Sequence, residues 1–388
     1  MNTITRQEFL QRTAMAGAAV LLSSLESLAL ETKDKKLRVA LIGCGSVSNR
    51  YIPHLQTSSL VEIVSLCDIK YDRATGQNKQ YNVNAATYPH IDKMLAGVPF
   101  DLMVDTTDMQ EHEHLNKQAL MAGKHVWSEK PMANTYAAGK ALYDLAKSKK
   151  LRIWGAPAVV NSPQFAFMLK TIQEGKLGKL SCAHAHYGHL GPTWSAFFYE
   201  KGGGSLPDLG VYNLATLTGL LGPAKAVVAM TSIVTPERTV DDKGKVKVAA
   251  EDNAHVVMDH GNGVLSHVQC GFNYFDPYGH EGKGQNSHTI TVWGRDGNMG
   301  LVGYDWAPFG VDLATTSAEQ PVRYVEDPGT YVWQQGATVI SESLVNKIEP
   351  KINAEHALHV LEVIEAARAS SATGKKIMLK SKFTYPLF

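Results

Sequence analysis

Leu37-Arg38-Val39-Ala40-Leu41-Ile42-Gly43-Cys44-Gly45-Ser46-Val47-Ser48 is the stretch that decides the fold. Its first six residues are almost all apolar, as in a strand buried on both faces. The next six read G-x-G-x-x-S. Gly43 permits a tight turn, and Gly45 lets backbone N–H groups approach a pyrophosphate. The third small position only has to let helix pack on strand, and Ser48 serves. Ser46 and Val47 lead into a helix, whose N-terminus favours phosphate. A strand–helix turn without a ligand also fits these residues taken alone. Asp68 tips the balance: it ends the next apolar run, 23 residues after Gly45. A carboxylate about 20 residues on is where a ribose hydroxyl is recognised. Asp68 favours NAD, while Lys70 and Arg73 just beyond it leave NADP open.

Outward from this stretch the pattern alternates. Apolar runs over 61–66, 102–104, 125–127 and 151–154 predict strands, and 112–122 and 134–149 predict helices. Strands alternating with helices imply a parallel sheet with right-handed crossovers. The fold class is therefore α/β, with an N-terminal Rossmann domain over 36–157. From 158 the rhythm changes to period two. The runs 181–187, 254–260, 264–270 and 288–294 predict strands with one wet face. Asn262-Gly263 signals a hairpin, and Arg295-Asp296-Gly297 turns another. A C-terminal α/β domain over 158–388, with a large, mostly antiparallel sheet, is the expectation.

Composition bounds the function. The chain has 388 residues, too many for one small core. Lys+Arg is 38 and Asp+Glu is 37, which argues against a nucleic-acid grip. Four cysteines, none in a CxxC pair, exclude a disulfide scaffold and a zinc ribbon. No apolar run reaches the roughly 18 residues of a membrane span. Residues 13–25 are an uncharged run of the length of a signal h-region. Small residues at Ser27 and Ala29 place cleavage after Ala29, giving a signal over 1–29 and a linker over 30–35. Arg6-Gln7 resembles a twin-arginine signal with glutamine in place of the second arginine. Periplasmic or exported is the expectation, with an amphipathic cytoplasmic N-terminus as the alternative.

Two further segments carry chemistry. One is Ala122-Gly123-Lys124-His125-Val126-Trp127-Ser128-Glu129-Lys130-Pro131. The other is Gly202-Gly203-Gly204-Ser205-Leu206-Pro207-Asp208-Leu209-Gly210-Val211-Tyr212-Asn213. With the glycine loop they resemble the Gfo/Idh/MocA oxidoreductases, nicotinamide-dependent enzymes of sugars and polyols. The resemblance implies that Lys130, flanked by Glu129 and Pro131, lies at the nicotinamide and contacts the reacting hydroxyl. It implies that Asp208 and a histidine four residues later complete the site. Tyr212 stands at that position here, as in the exported glucose–fructose oxidoreductase branch, which holds its cofactor tightly. It also implies that Thr106 and Thr107 lie beside the cofactor, where the family has Thr-Pro. His112, 11 residues before Gly123, matches a family histidine, and packing at a helix N-terminus fits it equally well. The family's second sheet covers the cofactor with one face and often oligomerises through the other, so a homodimer or homotetramer is expected.

The residue types agree independently. Hydride transfer from a secondary alcohol needs the O–H proton removed, and a lysine polarises that oxygen. Tyr212 serves as acid or base if its phenol pKa falls. Asp208 shares a face with Tyr212 if the segment is helical. Set against this, Lys130 also fits a solvated strand end, Asp208 a helix N-cap, and Tyr212 a core position. Histidines 184, 186, 189, 255, 260, 267, 280 and 288 are numerous. His184 and His186 share a strand face, but no third ligand is placed by spacing, so no metal is expected. Trp194, Phe197, Phe198 and Tyr199, and Phe272, Tyr274, Phe275 and Tyr278, suit sugar C–H faces or core packing. Cys44 and Cys67 are expected free and buried, Cys182 and Cys270 in the sheet core, and 355–364 a purely structural helix. The expected activity is NAD(P)-dependent oxidation or reduction of a sugar. The competitors are a hydrolase or lyase using transient sugar oxidation, and a non-catalytic binding protein.

Overall fold

The structure is a computed structural model and describes residues 36–276 and 287–388. The signal and linker expected over 1–35, together with Tyr278 and His280, lie outside the described residues.

Six strands form the first sheet: β1 (Leu37–Ile42), β2 (Val61–Cys67), β3 (Ala86–Tyr88), β4 (Leu102–Asp105), β5 (His125–Ser128) and β6 (Ile153–Gly155). All pair in parallel, in the order β3-β2-β1-β4-β5-β6. The order reverses between β1 and β4, and ligands bind at such a switch point. The three-residue β3 carries no apolar run, which is why sequence pattern passes over it. The connecting helices are α1 (Ser48–Gln56), α2 (Tyr71–Gln80), α3 (Ile91–Ala96), α4 (His112–Met121) and α5 (Tyr136–Ser148). Pro53 lies inside α1 and cannot donate to Asn49 four residues back. The Tyr81 hydroxyl donates to that Asn49 carbonyl instead, at 3.3 Å.

Helix α6 (Pro163–Gln173), with Pro at its start and Ser162 as N-cap, leads into the second half. Its strands are β7 (Leu180–Gly188), β8 (Ala226–Ser232), β9 (Glu237–Val240), β10 (Gly244–Lys247), β11 (Asn253–Gly261), β12 (Val264–Gly271), β13 (His288–Gly294), β14 (Gly297–Tyr304), β15 (Ala307–Thr315), β16 (Ala318–Tyr324) and β17 (Ile377–Met378). β9 and β10 form a separate ribbon. The others make one sheet, β16-β15-β14-β13-β7-β12-β11-β8-β17, antiparallel except for β12 beside β7. Asn262 and Gly263 turn the β11–β12 hairpin with φ of 55° and 83°, as a two-residue turn of that hand requires.

Helices α7 (Val211–Leu221) and α9 (Ala354–Thr373) pack against this sheet. Val227, Ala229, Val256 and Met258 are buried on that side, while Val228 and Met230 are exposed on the other. Cys270 is buried but Cys182 is exposed, because alternation turns it to the open face. All four cysteines are free. Helix α8 (Gly336–Asn346) does not stay with its neighbours in sequence. It packs on α1, β1, β2 and β5, and Gly336 sits where a Cβ would run into the Trp127 ring. A division at residue 157 therefore separates the two sheets, but it leaves one helix of the first layer on the far side. Among the described residues no helix is long and apolar enough to cross a membrane.

Candidate active site

The glycine loop leaves the end of β1. Gly43 has φ of 89°, and a Cβ there would lie 2.6 Å from the Thr106 and Thr107 backbone. Only glycine fits this crossing of two strand ends. In front of Gly45 the space is open, the nearest atom to a Cβ being an Arg73 nitrogen at 3.8 Å. The Ser48 hydroxyl donates to the Gly45 carbonyl at 2.6 Å. Ser46 and Val47 sit at the start of α1, where N–H groups have no intrahelical partner. Asp68 is buried and accepts from the Cys44 N–H at 2.8 Å and the Lys70 N–H at 2.7 Å. Its carboxylate ties the loop to the end of β2. An open glycine, a free helix N-terminus and a carboxylate beside them suit a dinucleotide.

The loop after β4 is equally tied down. The Thr106 hydroxyl donates to the Gly43 carbonyl at 2.6 Å, and Thr107 donates to Asp105. His112 is buried, with its ring nitrogens facing the carbonyls of Pro131 at 2.7 Å and Thr107 at 3.0 Å. It thus bridges the two loops that flank the cavity mouth. Burial raises the Asp105 carboxyl pKa, opposed chiefly by His112.

Lys130 reaches across to the second half. Its ammonium donates to Asp208 Oδ1 at 2.7 Å and to the Asp208 carbonyl at 2.9 Å. It also lies 5.4 Å from the centre of the Tyr212 ring. The sequence thus brings Lys130, Asp208 and Tyr212 together from β5 and the start of α7. Asp208 does not cap the helix, because its carboxylate is taken by Lys130. It lies in a wide turn over Leu206–Gly210 that runs into α7. Tyr212 needs a correction. Burial, followed by the charge of Glu129, pushes its phenol pKa well above the usual value. The fall that base chemistry would require is the opposite of what this environment supplies.

These groups line a cavity of about 590 Å³ between the two sheets. Val47, Arg50, Thr106, Thr107, His112 and Glu129 line the cofactor side. Trp194, Phe197 and Phe198 also line the cavity, whereas Tyr199 is buried and Phe272 lies in the core. Sequence analysis missed Arg50, Trp306, Phe309, Tyr331 and Trp333, and it gave His189 no part in the site. Their signal is weak, because isolated aromatics and cations on loop ends look alike in any chain. His184, His186, His255 and His267 stack in a column on the open sheet face, with ring centroids 5.0–5.8 Å apart. Stacked rings do not converge on a point. Among the described residues no group of three or more His, Cys, Asp or Glu is placed to hold a metal ion.

A glycine loop at the switch point of a parallel sheet, closed over by a second sheet, defines a two-domain dinucleotide-binding protein. The chain belongs to the GFO/IDH/MocA oxidoreductase family. Residues 37–156 match its "Oxidoreductase family, NAD-binding Rossmann fold" model, and residues 165–300 match the "GFO/IDH/MocA C-terminal domain". One relative is the D-apiose dehydrogenase of Paraburkholderia graminis, 24% identical over 374 residues, covering 91% of this chain and 92% of that protein. Among solved structures, the aldose-aldose oxidoreductase of Caulobacter crescentus complexed with glycerol gives a TM-score of 0.75 at 20% identity, covering 89% of this chain and all of that one. The WlbA dehydrogenase of Bordetella pertussis, in complex with NADH and UDP-GlcNAcA, gives 0.71 at 20% identity, covering 89% and 99%.

Proposed function

We propose that this protein is an NAD(P)-dependent oxidoreductase acting on a secondary hydroxyl or carbonyl of a neutral sugar or sugar derivative. The observation that carries the reading is the Lys130–Asp208 pair at 2.7 Å, set in a cavity with the glycine loop at one end and aromatic rings at the other. Gly43, Gly45, Ser46, Val47, Asp68, Thr106 and Thr107 would hold the dinucleotide, with His112 and Glu129 supporting it. When bound, that group supplies the hydride acceptor or donor. Lys130 polarises the substrate oxygen and stabilises the charge that develops on it. Asp208, already hydrogen-bonded to the ammonium, accepts the hydroxyl proton. Tyr212 keeps its proton and donates to a substrate oxygen. The rings of Trp194, Phe197, Phe198 and Trp306 offer apolar faces to sugar C–H groups.

Export in a cofactor-loaded state belongs to the same proposal. It rests on the sequence of residues 1–29 and on the absence of a free nicotinamide pool outside the cytoplasm. Assembly as a homodimer or homotetramer belongs to it too, supported by the exposed Val228, Met230, Val257 and Leu265 on the open sheet face. The decisive experiment combines native mass spectrometry with product analysis across a panel of neutral sugars and glycosides. Retained dinucleotide, a cleaved N-terminus and an oxidised sugar are expected. A cleaved glycoside with no net oxidation would replace the reading with transient-oxidation chemistry. Absence of any dinucleotide binding would sink it.

A further inference from the structure

Tyr51 lies in α1, one turn beyond the glycine loop, with its N–H on the Val47 carbonyl. It is completely buried. Its hydroxyl donates to Glu129 Oε1 at 2.6 Å and accepts from the Trp127 indole N–H at 3.2 Å. The other Glu129 oxygen accepts the Lys130 backbone N–H at 3.0 Å. The Lys130 side chain then runs to Asp208. A continuous hydrogen-bonded line therefore links the helix that follows the phosphate-binding loop to the amine at the reacting centre. Glu129 is only 6% exposed, and these two donors give each of its oxygens a hydrogen bond. Burial and Glu129 together hold the Tyr51 phenol well above its usual pKa, so it remains a donor. From the other side Trp333 meets the Tyr51 ring edge-on, with centroids 5.9 Å apart. Trp333 itself lines the cavity.

We propose that Tyr51 is a positioning residue for Lys130, fixing the reacting amine from the helix that follows the glycine loop. The proposal rests on the oxidoreductase reading for what Lys130 does, but the geometry of the line stands apart from it. Tyr51 does not touch the cavity contents. It acts through Glu129, whose orientation fixes the Lys130 backbone. Phenylalanine would keep the ring, its contact with Trp333 and the packing of α1, and would remove only the hydroxyl.

The test is Tyr51→Phe in the full chain, with four readouts. These are the thermal midpoint, dinucleotide affinity from tryptophan quenching, kcat and KM, and the rate at which an acylating reagent labels Lys130, read by peptide mass spectrometry. Midpoint, affinity and KM should stay near wild type, while kcat falls about 10–100-fold, as expected for a small misplacement of a reacting group. Lys130 should label faster, because its ammonium is held less firmly on Asp208. Glu129→Gln combined with Tyr51→Phe should lose no more kcat than the worse single variant. Unchanged kcat with unchanged labelling overturns the proposal. So does a parallel fall of midpoint, affinity and kcat, which marks a purely structural tyrosine. Should Tyr51→Phe fail to fold, Glu129→Gln carries the same labelling test. If wild type turns over no sugar while labelling still accelerates in the variant, the oxidoreductase reading has failed and the positioning line has survived.

Discussion

The two ends of the cavity are built by different means. The glycine-loop end is held through backbone: Gly43 crossing the Thr106–Thr107 peptide, N–H groups of Cys44 and Lys70 on Asp68, and the Thr106 hydroxyl on the Gly43 carbonyl. The opposite end is made of side chains, with Trp194, the neighbours Trp306 and Phe309, and Trp333 arriving from three parts of the chain. Lys130 and Asp208 are the seam between them. Where backbone does the binding, each position tolerates few residues. Where rings do it, many residue sets give a similar surface.

This contrast is open to breakage, and the largest effect should come at the seam. Lys130→Ala should lower kcat by about 10²–10⁴-fold while dinucleotide affinity holds, because the role proposed for this amine is to stabilise charge on the reacting oxygen. Steady-state kinetics beside a binding titration checks this, and full turnover would refute the role. Next, Gly43→Ala should cost about 2–4 kcal/mol of stability, combining left-handed backbone strain with a backbone overlap. It should also abolish dinucleotide binding, as denaturant titration and quenching would show. Asp68→Asn should be milder. One backbone donor loses its charged acceptor, for about 1–3 kcal/mol of stability, and dinucleotide affinity drops. If Asp68→Asn hurt more than Gly43→Ala, the backbone account of the cofactor end would need replacing.

The smallest effect concerns the wall behind the substrate end. Asp305 is buried, accepts from Asn213 at 3.1 Å and Thr216 at 2.8 Å, and has its pKa raised by burial to about 6. Between its ordinary value of 3.8 and about 6, the folded protein binds this proton and the unfolded chain does not. Stability from this group is therefore greatest in acid and is lost as pH rises through that window. Asp305→Asn cannot lose a proton. Its melting temperature relative to wild type should climb from about pH 4 to about pH 7. A gap that stays flat with pH would mean Asp305 is not the titrating group.

The same contrast explains what was legible in sequence. The six residues of β1 and the loop after them declare themselves, since a buried parallel strand must be apolar and a crowded turn must be glycine. Asp68 is readable because its distance along the chain is set by one helix and one strand. Lys130 and Asp208 were legible only through family resemblance, since a lysine at a strand end and an aspartate before a helix have ordinary structural uses. Tyr212 was placed but misjudged, because the burial that sets its pKa comes from residues distant in sequence, foremost in charge Glu129. Tyr51 went unnoticed for the same reason, since its partners lie 78 and 76 residues away.

Helix α8 has a consequence for how the chain is made. Trp127 belongs to the fifth strand of the first sheet, yet the glycine that seats it is residue 336, some two hundred residues later. Helix α1 and the turn after it wait for the same late segment, since His54 and Ser58 bond to Thr338 and Glu342. Domains usually fold from the N-terminus as they leave the ribosome. Here the first sheet emerges well before residue 336, and the surface that this later segment covers stays open until it joins. Trp333, which leads into the same segment, lines the cavity, so the cavity wall too is completed only by this late arrival.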